Sequence, residues 1–406
     1  MDGERAEAVT NAGNAPRRFF GLPRAVFLLG AVSFMNDAAS EMIYPLMPVF
    51  LASIGASMSF IGLVEGVAET TASLLKLFSG CIADRLGRKR ALTVAGYAFS
   101  NALRPLIGIA SAGWHVLFLR FVDRVGKGIR TAPRDAVIAD ATPEGERGRA
   151  YGFNRSMDHG GAMVGAAVAF VLLTYAGVSV PGIFLLSAVP GILAVVFVTA
   201  AVGTARDPSV RLAAPPKLSL RPFSGRFRLF LFVLVVFTLG NSSDAFLLLR
   251  ARELGVPVAH LPLVWIMFHA VKSISSGPGG ALSDRVGRTR MIVAGWLVYA
   301  LVYLGFSQAQ TAAHAWVLFA CYGLFFGLTE GVEKAFVADL VPAELRGTAF
   351  GIYNFAIGIV ALPASLLCGF LWQSYSSTVA LGTGAALAAV ASVLLVAAVR
   401  SRTSDR

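Results

Sequence analysis

The segment "GCIADRLGRKR", residues 80–90, recurs as "GALSDRVGRTR" at residues 280–290. A second pair follows at almost the same separation: "ADATPEGERGRAYG" at 139–152 is similar to "ADLVPAELRGTAFG" at 338–351. Both polar segments recur in the same order between long apolar stretches, and chance similarity of apolar sequence does not explain that order. The pattern predicts an internal duplication, with two halves of one fold.

The composition is typical of a protein that lies in a lipid bilayer. Of the 406 residues, 56% are hydrophobic and only 14% are charged, and the mean hydropathy is +0.69. Apolar runs of roughly 20 residues recur along the chain, and each is long enough to cross a hydrocarbon core of about 30 Å. These runs are continuous rather than alternating, which excludes a membrane β-barrel. The three cysteines lack disulfide or metal-ligand spacing and are interpreted as packing residues.

The apolar runs predict an all-α integral membrane protein with twelve transmembrane helices in two pseudo-symmetric six-helix bundles. Small residues are frequent within the runs, as close helix packing in lipid requires. The expected spans are 25–51, 58–81, 90–111, 113–139, 150–176, 180–203, 227–250, 258–283, 289–309, 313–339, 347–372 and 376–399.

The duplication divides the chain into five regions. They are an N-terminal cytoplasmic tail at 1–24, an N-terminal bundle at 25–203, a cytoplasmic linker at 204–226, a C-terminal bundle at 227–399 and a cytoplasmic tail at 400–406. This orientation follows because most of the 35 Lys and Arg residues fall in the tails and in the loops of one side. The expected location is the inner (plasma) membrane. The same asymmetry accounts for much of the net charge of +12, so no nucleic-acid partner is predicted.

The two repeated loops resemble the motif G-x-L-x-D-R-x-G-R-[RK]-[RK] of the major facilitator superfamily, and the likeness extends over essentially the whole chain. The matching residues are Gly80, Asp84, Arg85, Gly87, Arg88 and Arg90 in the first copy and Gly280, Asp284, Arg285, Gly287, Arg288 and Arg290 in the second. The resemblance implies the fold of that family and alternating access to a central site. It also implies that the loops form a cytoplasmic gate that latches the halves together. A topogenic and structural turn is the alternative that the residues leave open.

The fourth expected span is unusually charged. It contains "FLRFVDRVGKGIRTAPRDAVIAD" at 118–140, which aligns without a gap with "VLFACYGLFFGLTEGVEKAFVAD" at 317–339. A basic residue at the centre of a membrane helix costs about 2.5–3.5 kcal/mol. The basic residues recur every three or four positions and so form one stripe: Arg120, Arg124, Lys127, Arg130 and Arg134. We therefore expect the stripe to face a water-filled cavity or acidic partners, away from lipid.

Acidic partners are present in the first two spans. Asp37 and Glu41 are four residues apart in the first span, and Glu65 and Glu69 are four apart in the second. Because these spans run in opposite directions, Asp37 and Glu69 are expected at one depth, and Glu41 and Glu65 nearer the outside. Arg104 likewise lies closer to the outer end of its span, the third. We predict a mixed network of charges in the N-terminal half, since opposite charges offset each other's desolvation.

Spans 4 and 5 match the proton-coupled exporters of the family only in part. The exporter motif R-x-x-x-G-x-G-x-G is met except at its first glycine, where Arg124 stands. In the antiporter motif G-x-x-x-G-P-x-x-G-G, Ala166 stands where Pro is expected. The resemblance implies a coupling role for Arg120, with a fixed structural ion pair as the alternative.

Ionisable residues inside a membrane are functional candidates by default. Glu330, Glu333 and Lys334 are exceptions, since they lie near the inner end of span 10 and are interpreted as solvated. Trp265, Phe268, Tyr299 and Tyr322 are candidates to line a cavity for an organic molecule. The candidates for proton coupling or for the substrate cavity are Asp37, Glu41, Glu65, Glu69, Arg104, Arg120, Asp123, Arg124, Lys127, Arg130, Arg155, Asp158, His159, Asp244 and Lys272.

A soft-metal site is an alternative use of span 5. Met157, His159 and Met163 carry thioether and imidazole groups, which suit Cu(I). Methionine is also a common packing residue, so no metal ligands are assigned.

The chain lacks a nucleotide-binding loop of the G-x-x-x-x-G-K-[ST] type and has no convincing nucleophile–base pair, so neither ATP-driven transport nor an enzyme is predicted. The sequence predicts a secondary active transporter. The preferred hypothesis is a proton-coupled antiporter that exports a small solute. The alternatives are proton-coupled uptake of an anionic or zwitterionic metabolite and copper transport. The expected partners are a small-molecule substrate, protons and membrane lipid; no cofactor is expected, and the chain is expected to act as a monomer.

Overall fold

A computed structural model of the protein describes residues 18–19, 22–86, 89–143, 146–202, 219–342 and 345–400. In the first repeated loop, Gly87 and Arg88 lie outside the described residues, and so do the surroundings of Gly80 and the side chains of Asp84 and Arg85. Most of the expected tail 1–24 and of the linker 204–226 also lies outside them.

Most of the described chain is helical. Two short strands, β1 (Arg18–Phe19) and β2 (Leu22–Pro23), pair in antiparallel fashion before the first helix. The helices of the N-terminal part are α1 (Arg24–Glu41), α2 (Met47–Ser53), α3 (Met58–Leu86), α4 (Lys89–Leu103), α5 (Gly113–Ala141), α6 (Arg147–Thr174), α7 (Val180–Leu186) and α8 (Ala188–Val202). The helices of the C-terminal part are α9 (Gly225–Gly240), α10 (Asp244–Glu253), α11 (Leu261–Val286), α12 (Arg288–Gln308), α13 (Ala312–Asp339), α14 (Arg346–Ser374) and α15 (Ser377–Arg400).

Within the described residues, ten segments are long and apolar enough to cross a membrane. Three of them consist of two consecutive helices, namely α1 with α2, α7 with α8 and α9 with α10. The segments expected as spans 3 and 4 are helical but are not among the ten. Helix α5 carries the charged stripe. Helix α4 ends at Leu103 because Pro105 has no amide hydrogen to donate to a carbonyl of the preceding turn, and the chain continues as a 3-10 helix over Arg104–Ile109.

The first long helical segment of each part is broken near its middle. Between α1 and α2 the chain passes through Pro45, and Pro48 follows in the first turn of α2; neither has the amide hydrogen of a regular helix. Between α9 and α10 it passes through Asn241–Ser243, and the Ser243 hydroxyl accepts a hydrogen bond from the Ala245 N–H at the start of α10. Irregular backbone at membrane depth is tolerated where it is buried in protein or lines a cavity.

Small residues allow the helices to approach closely. Helix α1 lies against α6, where Gly161 and Gly165 face the backbone of Phe34 and Ala38. A Cβ atom on Gly165 would lie 2.7 Å from the Cα atom of Ala38, so any side chain there would push the helices apart. This is the packing mode that membrane helices use in place of large interlocking side chains.

Two helix pairs join the N-terminal and C-terminal parts. Helix α3 packs along α14, and α6 packs along α11. Gly66 lies against the backbone of Leu362, and the Thr70 hydroxyl donates to the carbonyl oxygen of Gly358 at 2.6 Å. We call the end where α3 and α11 terminate, next to the repeated loops, the motif side, and the other end the opposite side. The space between the parts is bounded by these helices together with α1, α5 and α13.

Candidate functional site

Two buried ion pairs lie inside the N-terminal part. The Arg120 guanidinium donates to both Glu65 carboxylate oxygens, at 2.7 and 2.9 Å, and joins α5 to α3. Arg104 donates to Asp123 Oδ1 at 3.0 Å, and joins the turn after α4 to α5. All four side chains are at most 6% exposed, so each charge is removed from water and depends on its partner.

Arg134 of the basic stripe pairs with Asp135 at 2.8 Å, whereas Arg124 and Arg130 have weaker partners. Arg124 Nε lies 3.8 Å from Asp123 Oδ2, which Arg104 already occupies on its other oxygen. The Arg130 guanidinium carbon lies 4.3 Å from the centre of the Tyr97 ring, a cation–π contact. Among the described residues neither has a carboxylate of its own. Acidic partners are therefore found for Arg120 and Arg134, and Lys127 is exposed. Arg124 shares Asp123 with Arg104, and Arg130 is buried against an aromatic ring.

A chain of neutral amides links these ion pairs to Asp37. Asn36 Nδ2 donates to Asp37 Oδ1 at 2.9 Å, and Asn101 Nδ2 donates to Asn36 Oδ1 at 3.3 Å. Arg104 in turn donates to the backbone carbonyl of Asn36 at 3.2 Å. The orientation of Asp37 is thus set by hydrogen bonds that the sequence analysis missed, because single Asn residues in an apolar run give no charge signal.

Glu69 and Lys127 are exposed although each lies far from either end of its long helix. Lys127 interacts electrostatically with Glu69 and with Asp37 of α1. Side chains from α1, α3 and α5 that interact in this way point into the space between helices and not toward lipid. Because Glu69 and Lys127 are exposed, water-sized molecules reach the space beside them, which we call the cavity.

The C-terminal part contributes a second set of charges to this cavity. Lys272 of α11 pairs with Glu330 of α13 at 2.9 Å, and its ammonium lies 4.4 Å from the centre of the Phe326 ring. Glu330 also pairs with Lys334 at 3.5 Å. Asp244 accepts a hydrogen bond from the Tyr322 hydroxyl at 2.6 Å, at the broken helix between α9 and α10. Lys272 and Asp244 were separate candidates in the sequence analysis. They interact electrostatically and so lie in the same region of the C-terminal part.

His159 and His269 face each other across the two parts. Their ring centres are 6.5 Å apart, on α6 and α11 respectively. Neither ring nitrogen of His269 has a hydrogen-bond partner within the described part of the chain, although both are buried. Beside His159, Asp158 lies 3.5 Å from Arg155 and 4.0 Å from Arg134.

The copper hypothesis rests on two methionines and one histidine, Met157, His159 and Met163, and stays a hypothesis. Across the described ranges, no group of three or more His, Cys, Asp or Glu side chains is placed to hold a metal ion.

The interpretation of Glu333 as solvated was wrong. Its carboxylate is 7% exposed and accepts hydrogen bonds from Trp296 Nε1 and from the Tyr353 hydroxyl, each at 2.8 Å. Because Glu333 lies near the end of its helix, the sequence analysis expected it to be exposed to solvent. In the structure α12 and α14 cover this face of α13. Tyr299 and Tyr322 are likewise fully buried, within a cluster of aromatic rings.

The opposite side is closed by contacts between the two parts. The Trp265 indole donates to Glu41 Oε2 at 2.7 Å, and its ring packs on Tyr44 with centres 5.0 Å apart. Phe170 of α6 meets His260 at 6.0 Å between ring centres. These contacts join the two parts of the molecule on the opposite side.

The second repeated loop is held by ion pairs. Arg288 contacts Asp284 at 2.7 Å and Asp339 at 3.2 Å. Gly287 has φ +101°, a conformation that favours glycine, which explains why the motif carries glycine here. Gly280 and Arg285 lie at the end of α11 and make no close contact with the N-terminal part in the described residues.

Comparison with known proteins identifies relatives over almost the entire chain. The sequence model of the Major Facilitator Superfamily matches residues 29–362 and 229–406. An uncharacterized MFS-type transporter of Methanocaldococcus jannaschii is 32% identical over 92% of this chain and 95% of its own length. The multi-drug resistance efflux pump PmrA of Streptococcus pneumoniae is 24% identical, over 82% of this chain and 85% of the pump.

Solved transporter structures share the fold. A bacterial homolog of the human lysosomal transporter Spinster, in an inward-facing and occupied conformation, superposes with a TM-score of 0.75 over 94% of this chain and 97% of that one, at 13% identity. A POT family transporter in complex with 5-aminolevulinic acid gives a TM-score of 0.79 over 94% and 97% of the two chains, at 11% identity.

Proposed function

The chain belongs to the Major Facilitator Superfamily, and we propose that this multi-pass membrane transporter exports a small solute in exchange for protons. The observation that carries the proposal is the group formed by Asp37, Glu69 and Lys127, which are charged, accessible and placed midway along helices of a membrane protein. Ionisable groups in that position commonly form ion or substrate pathways. Export, rather than uptake, is supported by the likeness to multidrug efflux pumps such as PmrA.

We propose the following organisation for the whole chain. Twelve transmembrane helices form two six-helix bundles, at 25–203 and 227–399, joined by the linker 204–226. Both termini and the motif side face the cytoplasm of a monomer in the plasma membrane, as the distribution of basic residues favours. The structure then represents an inward-open state. The repeated loops, with Asp84 and Arg85 in the first and Asp284, Arg285 and Arg288 in the second, act as the cytoplasmic gate.

Asp37 and Glu69 are the proposed proton carriers. Both carboxylates border the cavity and interact with Lys127, so each has a cation nearby when it is ionised. Protonation of either removes a charge that the lysine balances, which changes the electrostatic free energy of the inward-open state relative to the outward-open one. Glu65, by contrast, is fully committed to Arg120. Arg120 therefore acts in this proposal through the position of α3 relative to α5.

Uptake of an anionic or zwitterionic metabolite is the second candidate. The observation that favours it is the presence of a lysine on each side of the cavity, Lys127 and Lys272. In that case the same carboxylates would carry protons inward together with the substrate.

Vesicle measurements test the proposal. Inside-out membrane vesicles are loaded with a pH-sensitive dye, acidified, and exposed to a panel of drugs, metabolites and metal ions; an exported compound collapses the proton gradient. We expect Asp37→Asn and Glu69→Gln to abolish this collapse while insertion and folding stay unchanged. Glu253→Gln, at an exposed ion pair on the opposite side, is the matched control and should behave like the wild type. Wild-type proton exchange in both cavity variants would remove these residues from the mechanism.

A further inference from the structure

Three tyrosine hydroxyls hold the break between α9 and α10. The three contacts join Tyr299 to the Gly240 carbonyl oxygen at 3.0 Å, Tyr303 to the Ser242 hydroxyl at 3.4 Å, and Tyr322 to Asp244 Oδ1 at 2.6 Å. The tyrosines belong to α12 and α13, and their side chains are fully buried in one cluster of aromatic rings. Their hydroxyls are therefore fixed in position, and the break is held at three points.

Asp244 is a carboxylate without a cation of its own. Its side chain is partly exposed, and it makes no ion pair within the part of the chain that the structure describes. Lys272 lies within electrostatic range, but its ammonium is paired with Glu330 at 2.9 Å. Glu65 and Glu69 of α3 add negative charge in the same range. A carboxylate inside a protein that no paired cation balances is a candidate to bind a proton.

The charge of Asp244 stabilises the start of α10 in two ways. The hydrogen bond from Tyr322 is stronger when its acceptor is ionised. A negative charge in the first turn of α10 also interacts favourably with the dipole of that helix. Protonation of Asp244 weakens both interactions, so that it loosens the attachment of α10 to α13.

Helix α10 contributes to the contacts between the two parts on the opposite side. It packs against α2, so the second halves of the two broken segments lie together. Tyr44, which precedes α2, lies within electrostatic range of Asp244, and its ring packs on Trp265 with centres 5.0 Å apart. A change in the attachment of α10 therefore acts on the contacts that close this side.

We propose that Asp244, positioned by Tyr322, binds a proton, and that the bound proton favours states that are open on the opposite side. While Asp244 is ionised, α10 stays fixed between α13 and α2, and this side stays closed. The inference rests on the proposed proton-coupled transport, and it adds a proton site in the C-terminal part together with the effect of that proton on the conformation. The titratable groups that surround Asp244 are Tyr44, Glu65, Glu69, Lys272, Tyr299, Tyr303 and Tyr322.

Distance measurements as a function of pH test the inference. Spin labels are placed at Ser57 and Arg252, which are exposed on the opposite side, in the full-length protein in lipid nanodiscs without substrate or proton gradient. We expect the population with long distances to grow as the pH falls, because the open state binds the proton more tightly than the closed state. Asp244→Asn, which cannot carry the charge, should show the long distances at every pH.

Two tyrosine variants test the role of Tyr322 without changing the carboxylate. Tyr322→Phe should move the midpoint of the transition to higher pH by roughly one unit or more, because the ionised form of Asp244 loses a hydrogen bond. Tyr299→Phe is the matched control, since it removes a buried hydroxyl of the same cluster that binds the backbone of the break instead of Asp244. Its midpoint should equal that of the wild type.

The inference is overturned if the wild-type distances do not depend on pH, or if Asp244→Asn responds to pH like the wild type. It is also overturned if Tyr322→Phe leaves the midpoint unchanged or lowers it, or if Tyr299→Phe moves it as far. A pH response that depends on Asp244, in a protein that shows no proton exchange in vesicles, would contradict the proposed function and leave the proton site standing.

Discussion

At the scale of single residues, Arg120 and Glu65 show how this protein accommodates charge within apolar helices. Each side chain is buried, and the pair is joined by two hydrogen bonds of 2.7 and 2.9 Å. A buried pair of this kind adds little net stability over a hydrophobic pair, because desolvation offsets the attraction. Removing one partner has a much larger effect, since the other charge then stays buried without compensation.

Arg120→Met is therefore expected to lower the free energy of unfolding by about 3–5 kcal/mol. The double variant Arg120→Met with Glu65→Met should recover most of the loss, because it leaves no unpaired charge in the core. Denaturation of the purified protein in detergent measures both. Equal losses in the single and double variants would show that the pair is not the source of the effect.

At the level of single residues, the sequence allowed predictions for charged side chains, because a charge within an apolar run is easily recognised. A network of opposite charges in the N-terminal half could be predicted, because an ion in a membrane helix needs a partner, and Glu65 pairs with Arg120. The roles of Asn36 and Asn101 could not, since a neutral polar residue in an apolar run resembles a packing residue. Glu333 was misinterpreted because its environment is made by Trp296 and Tyr353, which lie on other helices.

At the scale of helices, α5 and α13 fill corresponding places with different chemistry. In the alignment of the repeats Asp123 corresponds to Tyr322 and Lys127 to Phe326. Tyr322 stacks on Phe268 with ring centres 5.3 Å apart, in the region where the N-terminal part has ion pairs instead. Helix α13 is thus held by aromatic packing, and α5 by charge pairing.

The α1–α6 contact provides a test of helix packing. Gly165→Ala should destabilise the protein by about 1–3 kcal/mol, because the new methyl group collides with the Ala38 backbone. Gly152→Ala, on the same helix, meets nothing within 4 Å and should stabilise it by roughly 0.5–1 kcal/mol through the higher helix propensity of alanine. Thermal unfolding of the two variants should therefore shift in opposite directions, and shifts of the same sign would contradict the packing that we describe.

At the scale of the whole molecule, the two parts are joined by contacts on the opposite side. Glu41 and Trp265 are far apart in the sequence, and their 2.7 Å hydrogen bond connects α1 of the N-terminal part to α11 of the C-terminal part on the opposite side. Because Glu41 also interacts electrostatically with Asp37 and Lys127, the closure is linked to the charges of the cavity.

Glu41→Gln and Trp265→Phe should each increase the population of states that are open on the opposite side. A hydrogen bond to a charged group contributes about 1.5–3 kcal/mol, which corresponds to roughly a tenfold to hundredfold change in the equilibrium. Spin labels at Ser57 and Arg252, exposed on that side, report the change as longer distances in double electron–electron resonance.

Trp114→Phe is the matched control for Trp265→Phe, since Trp114 is 64% exposed and lies away from this contact. Distance distributions that stay the same in both Glu41→Gln and Trp265→Phe would show that the bond does not hold the closure.

The sequence predicted the order of the helical segments, because the repeat and the apolar runs are local patterns. It did not predict which side is closed. That depends on contacts such as Glu41 with Trp265, which arise only after the two parts dock and leave no local pattern in either segment.

The inward-turned charges of α5 also bear on how the chain enters the bilayer during synthesis. Since this helix is not among the segments apolar enough to cross a membrane by composition, the translocon cannot release it into lipid on hydropathy alone. Its partners Glu65 and Arg104 are translated earlier and are already in place when α5 emerges. We therefore expect co-translational integration of α5 to require the preceding helices, so that a fragment beginning after Arg104 would fail to insert this segment.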